Sequence, residues 1–265
     1  MKFISPITIC NKIYNKILNL YYQKTYDLSF YEKKQNYLFN KLNLDRLEGI
    51  KKIKEIKEKF TFLNNTMSSE HEIIFSSLSV ANNNINNILE IGTHNGKNAF
   101  LLSKLFPLAN ITTIDLEEHN QDFKNYYNRQ KLDEKDIFIK NRNEILKKSK
   151  NIFFEEKDST KLILNSNKYD LIWIDGAHGY PMVTIDIINS LKLIKFDGVI
   201  LCDDIWILKP DNQDSMYNSI AAYETLNILK NNNIILFNLL YKRLDKINNS
   251  NPKRKFVAFV KLKEQ

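Results

Sequence analysis

The chain of 265 residues, 43% hydrophobic with a net charge of +8, can bury a large core as one α/β domain with an addition. Two Cys, at 10 and 202, imply no disulfide framework, and no apolar stretch approaches the roughly eighteen residues of a membrane span. The basic balance coincides with abundant Lys, Asn and Ile and with no interleaving of Lys or Arg and aromatics, so it is weak evidence for nucleic acid.

In chain order, the start at Met1-Lys2-Phe3-Ile4-Ser5-Pro6 has no apolar signal core, which predicts a cytoplasmic protein without a membrane partner. Residues 1–60 are helical in pattern, with apolar stripes at Ile13, Ile17, Leu20 and Tyr21 and at Tyr37, Leu38, Leu42 and Leu44. They are expected as a helical appendage, a lid or a homo-oligomer contact outside the sheet, with the main domain over 61–265. Lys51 to Lys59 reads as a solvated helix face opposite Ile50, Ile53, Ile56 and Phe60. Thr66 to Glu72 carries a helix start: a Ser cap, acids in the first turn, then Ile73, Ile74, Phe75 and Leu78.

Leu89 and Ile91 end a strand at Gly92, a helix runs from Lys97 to Leu105, and Ile111 to Ile114 forms a second strand closing on Asp115. The spacing Glu90-x-Gly92-x-x-x-Gly96 departs from the G-x-G-x-x-G turn of dinucleotide folds, so a dinucleotide is not the favoured ligand. Gly92 lets a ligand lie close to the backbone, and Asp115 can accept hydrogen bonds from both hydroxyls of a ribose. Only six Gly occur, and five fall at predicted strand ends, where backbone geometry calls for them.

Residues 117–150 predict two helices, the second an insertion near the substrate mouth; Ile152-Phe153-Phe154 is a third strand, with Asp158-Ser159 after it. Tyr169 to Ile174 is a fourth strand, buried on both faces, that delivers Asp175; a helix follows from Pro181, and Asp197-Gly198 turns into a fifth strand ending in Asp203-Asp204. Adjacent parallel strands bring Asp175, Asp203 and Asp204 together, and three such carboxylates repel unless a cation joins them. Hard oxygen ligands suit Mg²⁺, Mn²⁺ or Ca²⁺ rather than Zn²⁺. Trp173 and Trp206 flank this crevice, as core packing first and stacking surfaces second, while His94 and His119 read as turn and surface residues. A polar loop from Ile207 to Asp214, a helix from Met216 to Leu229, and strands at Ile234 to Leu240 and Phe256 to Leu262 around the Asn248 to Pro252 turn complete the chain.

The strand, Gly turn, helix, strand, Asp order resembles motif I and the following acidic position of the class I S-adenosylmethionine-dependent methyltransferases. The resemblance implies a Rossmann-like seven-stranded α/β methyltransferase sheet in the order 3-2-1-4-5-7-6, with strand 7 antiparallel. It places S-adenosylmethionine against Glu90, Gly92, Thr93, Gly96, Asn98, Asp115 and Leu116, with Asp158 and Ser159 at the adenine. Asp175 and the Asp203-Asp204 pair resemble the ligands of the metal-dependent O-methyltransferases, so the implied metal site is Asp175, Asp203 and Asp204, with Mg²⁺ the first choice. Asp175-Gly176-Ala177-His178 and the second Asp are closest to the branch that methylates macrolide and rhamnosyl sugars, where the corresponding His, here His178, is the general base and Asp175 acts beside it. The implied acceptor is a hydroxyl of a small molecule, most of all a sugar or sugar nucleotide. The alternatives are an RNA methyltransferase and a phenol or catechol methyltransferase. Ile174-Asp175-Gly176 replaces the Asn/Asp-Pro-Pro-aromatic turn of amino-group methylases, and no Pro-Cys pair supplies a cytosine nucleophile, so nucleic acid is not the expected acceptor.

Overall fold

The apolar runs become strands of a single sheet: β1 (Asn87–Ile91), β2 (Asn110–Asp115), β3 (Ile152–Glu156), β4 (Tyr169–Ile174), β5 (Ile194–Trp206), β6 (Ile235–Tyr241) and β7 (Lys255–Leu262). Their order is β3-β2-β1-β4-β5-β7-β6. β1 to β5 are parallel and β7 is antiparallel to both neighbours, the Rossmann-like methyltransferase arrangement. The computed structural model describes residues 14, 16–17, 20–21, 24–64, 69–81, 84–125, 131–208, 218–244 and 255–264. The expected loop at Pro210, the Asn248 to Pro252 turn, the start of the helix at Met216, Cys10 and Ile13 lie outside them.

The helices are α1 (Leu28–Lys41), α2 (Arg46–Lys59), α3 (His71–Ala81), α4 (Lys97–Leu105), α5 (Gln121–Asn125), α6 (Leu132–Leu146), α7 (Met182–Leu193) and α8 (Ala221–Asn231). Asp27 and Asp45 cap α1 and α2, the latter accepting from the N–H groups of Leu47 and Glu48. Of the expected helix start, Thr66 to Ser68 lie outside the described residues; ahead of α3 the Ser69 hydroxyl meets His71 Nδ1 at 2.6 Å, and the Glu70 carbonyl accepts from Ile74 N–H.

Strand parity sorts the core into two layers, because alternate side chains leave a sheet on opposite faces. Ile88, Leu171, Trp173, Val199, Leu201, Leu240, Val257 and Phe259 face one layer, where Phe39, Ile53, Ile56, Phe75 and Phe100 of the helices cover them. Leu89, Ile91, Ile172, Ile174, Ile200, Cys202 and Val260 face the other, under Val183 and Ile187 of α7 and Leu226 of α8. The helices before residue 60, expected outside the sheet, therefore contribute to its core: Phe39 is fully buried, and Gln35 bonds both the N–H and the carbonyl of Tyr241 on β6 at 3.0 Å. Stripe position alone did not predict this, since Ile17, Leu20 and Tyr21 of the first stripe are more than half exposed. β5 also begins earlier than expected: Tyr169 pairs with Ile194 and Leu171 with Val199, so Asp197-Gly198 sits in an irregular stretch of the strand rather than in a turn before it.

Candidate active site

The backbone at the tip of β1 turns at Gly92, whose φ is +104°. A Cβ there would lie 2.3 Å from the Asp175 carbonyl oxygen, so the glycine first allows the tips of β1 and β4 to touch, where ligand approach alone was expected. The N–H groups of Gly92 and Thr93 both reach the Ile114 carbonyl, at 2.9 and 3.1 Å, which ties this turn to β2. His94, left-handed at φ 47°, donates its N–H to Asp115 Oδ2 at 2.9 Å, and Leu116 N–H donates to Oδ1 at 2.9 Å. Backbone donors thereby fix the direction of the carboxylate before any ligand arrives.

Asp115 opens onto a cavity of about 400 Å³ lined also by Gly92, Leu116, Asp158, Ser159, Asp175 and, from the segment after β4, Tyr180, Met182 and Asp186. These expected cofactor residues are brought together. Glu90, Thr93, Gly96 and Asn98 are not among the cavity-lining residues, and strand parity explains why. Glu90 points into the layer under α4, where Asn98 Nδ2 donates to Oε1 at 2.7 Å and Thr113 Oγ1 to Oε2 at 2.5 Å, and Thr93 joins Thr113 at 2.7 Å. Burial raises the Glu90 carboxyl to about 7. Gly96, at φ 74°, leaves room for Leu146, which a Cβ would meet at 2.9 Å. These four brace the turn. Asp158 caps the short helix Ser159–Leu164 through Thr160 N–H at 2.9 Å while also lining the cavity.

The second half of the edge is built from strand tips of one parity. Trp173 pairs with Leu201 and Ile174 with Cys202, so the next residues, Asp175 and Asp203, lie side by side on the face that carries Trp173. Asp204 follows at a register shift between Cys202 and Ile205, in a left-handed conformation of φ 53°. The three expected carboxylates thus converge. His178 is buried, with Nε2 3.6 Å from Asp175 Oδ1 and 3.8 Å from Asp204 Oδ2.

A cation does join them, and it belongs to the chain. Lys242, just past β6, places Nζ 2.6 Å from Asp203 Oδ2 and also contacts Asp204 Oδ1, while Lys255, opening β7, reaches Asp204 Oδ2 at 2.5 Å. Burial would lower the Lys242 ammonium, but Asp203, Asp204 and Asp175 outweigh it and raise it above its ordinary value. Burial would likewise raise Asp204, yet Lys242, His178 and Lys255 hold it well below the usual carboxylate range. Asp175 goes the other way: burial first, then the neighbouring Asp203, push it well above. The buried Asp203 Oδ1 has no hydrogen-bond partner among the described residues. The set does not fit the divalent ion expected from the sequence, because the Asp203 and Asp204 oxygens that would ligate it are engaged by ammonium groups. No group of three or more His, Cys, Asp or Glu among the described residues is placed to hold a metal.

Sequence reasoning missed Lys242 and Lys255, which lie far along the chain from the carboxylates they meet and carry no motif. It also missed Asp186, buried in α7 with Oδ1 unpartnered among the described residues and lining the cavity. Burial raises this carboxyl to about 7. The available signal was an acid three residues after Val183 and beside Ile187, on the stripe that packs on the sheet. His94, expected as a turn residue, is one and also lines the cavity. His119 is exposed beside Glu117 as expected, and Trp173 is core, packed edge-on against Phe75 at 5.0 Å.

Residues 89–205 match a family described as a methyltransferase domain. No curated protein matches the chain in sequence. Among solved structures, the O-methyltransferase TomG of Streptomyces achromogenes, involved in tomaymycin synthesis and bound to S-adenosylmethionine, is 14% identical, with 90% of this chain and 99% of that one covered at a TM-score of 0.54. A Staphylococcus aureus protein described as a caffeoyl-CoA O-methyltransferase is 18% identical over 78% and 91% of the two chains, at a TM-score of 0.51. A Klebsiella pneumoniae protein described as an O-methyltransferase is 13% identical over 89% and 99%, at 0.51. At these identities the structural likeness establishes the fold, and the matched domain identifies a methyltransferase. No helix among the described residues is long and apolar enough to cross a membrane.

Proposed function

We propose that this methyltransferase domain transfers a methyl group from S-adenosylmethionine to a hydroxyl oxygen of a small molecule, with a sugar or sugar nucleotide as the acceptor class. One observation carries the reading: Asp115, a carboxylate able to accept from a diol, and Asp175 line one cavity, and the buried imidazole of His178 lies 3.6 Å from the Asp175 carboxylate. The acceptor class rests on the Asp175-Gly176-Ala177-His178 and Asp203-Asp204 pattern, and O-methyltransferases recur among the similar structures.

The cofactor, when bound, supplies a methyl group on a positively charged sulfur that needs no further activation. Asp115 would accept from its ribose hydroxyls, Leu116 and Met182 would offer apolar walls to the base, and Asp158, Ser159 and Asp186 would present polar groups at its edge. Burial lowers the His178 pKa, although Asp204 and Asp203 oppose the shift, so the imidazole is neutral at pH 7 and able to take a proton from the acceptor hydroxyl. The imidazolium so formed lies 3.8 Å from Asp204, whose negative charge stabilises it.

Incubation with labelled S-adenosylmethionine and a panel of nucleotide sugars, catechols and RNA tests this directly. Label on a sugar hydroxyl is the expected result; label on RNA alone, with salt-sensitive binding, would replace the acceptor class by the nucleic-acid alternative. For the N-terminal segment we propose self-association with a second copy of the chain, supported by the exposed Tyr14, Ile17, Leu20 and Tyr21. A monomeric mass in analytical ultracentrifugation would remove that part.

A further inference from the structure

We infer that Lys242, backed by Lys255, is the resident cation of the acidic cluster, so that this chain methylates its acceptor without a divalent metal. The inference rests on the proposed methyl transfer for its catalytic half and stands apart from it for its binding half.

Strand parity is the first support. Leu240 on β6 and Val257 on β7 face the same layer as Trp173 and Leu201, so two residues on from Leu240 and two back from Val257, Lys242 and Lys255 continue toward the face that carries Asp175 and Asp203. The ammonium groups arrive at the carboxylates because the sheet order sends them there. Contact geometry is the second: Lys242 Nζ lies 2.6 Å from Asp203 Oδ2 and touches Asp204, and Lys255 Nζ lies 2.5 Å from the other Asp204 oxygen. An oxygen-ligated divalent ion sits about 2.0–2.6 Å from its ligands, so it would have to occupy the space that Lys242 fills.

The third support is that Lys242 is held in place by its backbone. Its N–H donates to the Lys255 carbonyl at 3.2 Å, and its carbonyl accepts from Glu70 N–H at 2.8 Å. Glu70 is in turn fixed by Arg46, through two bonds of 2.7 Å, and by Gln35 at 3.2 Å. Three segments distant in sequence therefore lock the strand end from which the side chain projects. Lys242 is 8% exposed, so displacing its ammonium to admit a metal would leave a buried charge without its partners.

The test is a Mn²⁺ titration of the full folded chain at neutral pH, followed by electron paramagnetic resonance of free Mn²⁺, in the wild type, Asp203→Asn, Lys242→Met and Lys255→Met. The wild type should bind Mn²⁺ no more tightly than Asp203→Asn. Lys242→Met should bind at least tenfold more tightly, and the gain should vanish when Asp203→Asn is added. Wild-type binding that Asp203→Asn abolishes would overturn the inference, as would a folded Lys242→Met protein with no gain. Should Lys242→Met fail to fold, Lys255→Met and the comparison of wild type with Asp203→Asn decide the matter. In the activity arm, excess chelator should change turnover by less than twofold; loss of turnover restored by Mg²⁺ would overturn the inference. Absence of transfer to any acceptor counts against the proposed function and leaves the Mn²⁺ titration to decide the cation.

Discussion

The two ends of the sheet edge are assembled by different means. At the tips of β1 and β2 the Asp115 carboxylate is aimed by backbone N–H groups of His94 and Leu116, all within one strand-helix-strand unit. At the tips of β4 and β5 the carboxylates are organised by charge, and the partners come from β6, β7 and the loop after β4. The first end is local and rigid through the main chain. The second depends on long-range packing that includes the N-terminal helices, through Gln35, Arg46 and Glu70.

That contrast can be broken at either end. The largest effect is expected at the charged end: His178→Ala should lower kcat by roughly 10²–10⁴ at pH 7 while leaving cofactor affinity nearly unchanged, because the imidazole faces the acidic cluster. Full turnover in that variant would remove the imidazole as the base. At the other end, Gly92→Ala forces a Cβ within 2.3 Å of the Asp175 carbonyl at a positive φ, and should cost about 2–4 kcal/mol of stability by urea unfolding. A neutral Gly92→Ala would mean that the two strand tips are not in contact. Asp115→Ala should weaken S-adenosylmethionine by about 1–3 kcal/mol in calorimetry with little change in stability, since the carboxylate lies at the cavity wall. Unchanged affinity would sink its assignment to the ribose.

The smallest effect sharpens the comparison through pH. The folded chain holds the Glu90 proton to about pH 7, whereas the unfolded chain releases it near 4.5, so this group erodes stability as pH rises through that window. Glu90→Gln has no proton to lose and can still accept from Asn98. Its stability should match wild type near pH 4.5 and exceed it by about 1–3 kcal/mol at pH 8. A difference independent of pH would show that the carboxyl is not protonated in the fold. Asp204 has the opposite sign: its lowered pKa contributes stability that is present above the unfolded value and fades as pH falls below it.

Much of this molecule was legible in the order of its residues. Continuous apolar runs marked β1, β2, β4 and β5 because parallel strands are buried on both faces, and the resemblance supplied the strand order that the structure adopts. Asp115, Asp158, Asp175, Asp203 and Asp204 were expected at the carboxyl edge, because a parallel sheet brings the residues that end its strands there, and the structure places them along that edge. Local pattern could not separate residues that line a cavity from those that brace its turn. Glu90, Thr93, Gly96 and Asn98 belong to the same motif as Gly92, yet parity turns Glu90 into the helix layer and Gly96 is spaced against Leu146. Nor could pattern name the counter-ion, since sequence shows where carboxylates gather but not which cation meets them. Only the placement of β7 between β5 and β6, with Gln35 of α1 bonded to Tyr241 and Glu70 to Lys242, brings Lys242 and Lys255 to Asp203 and Asp204. Charge pairing across a sheet is a property of neighbours in space, and those neighbours are set by the fold.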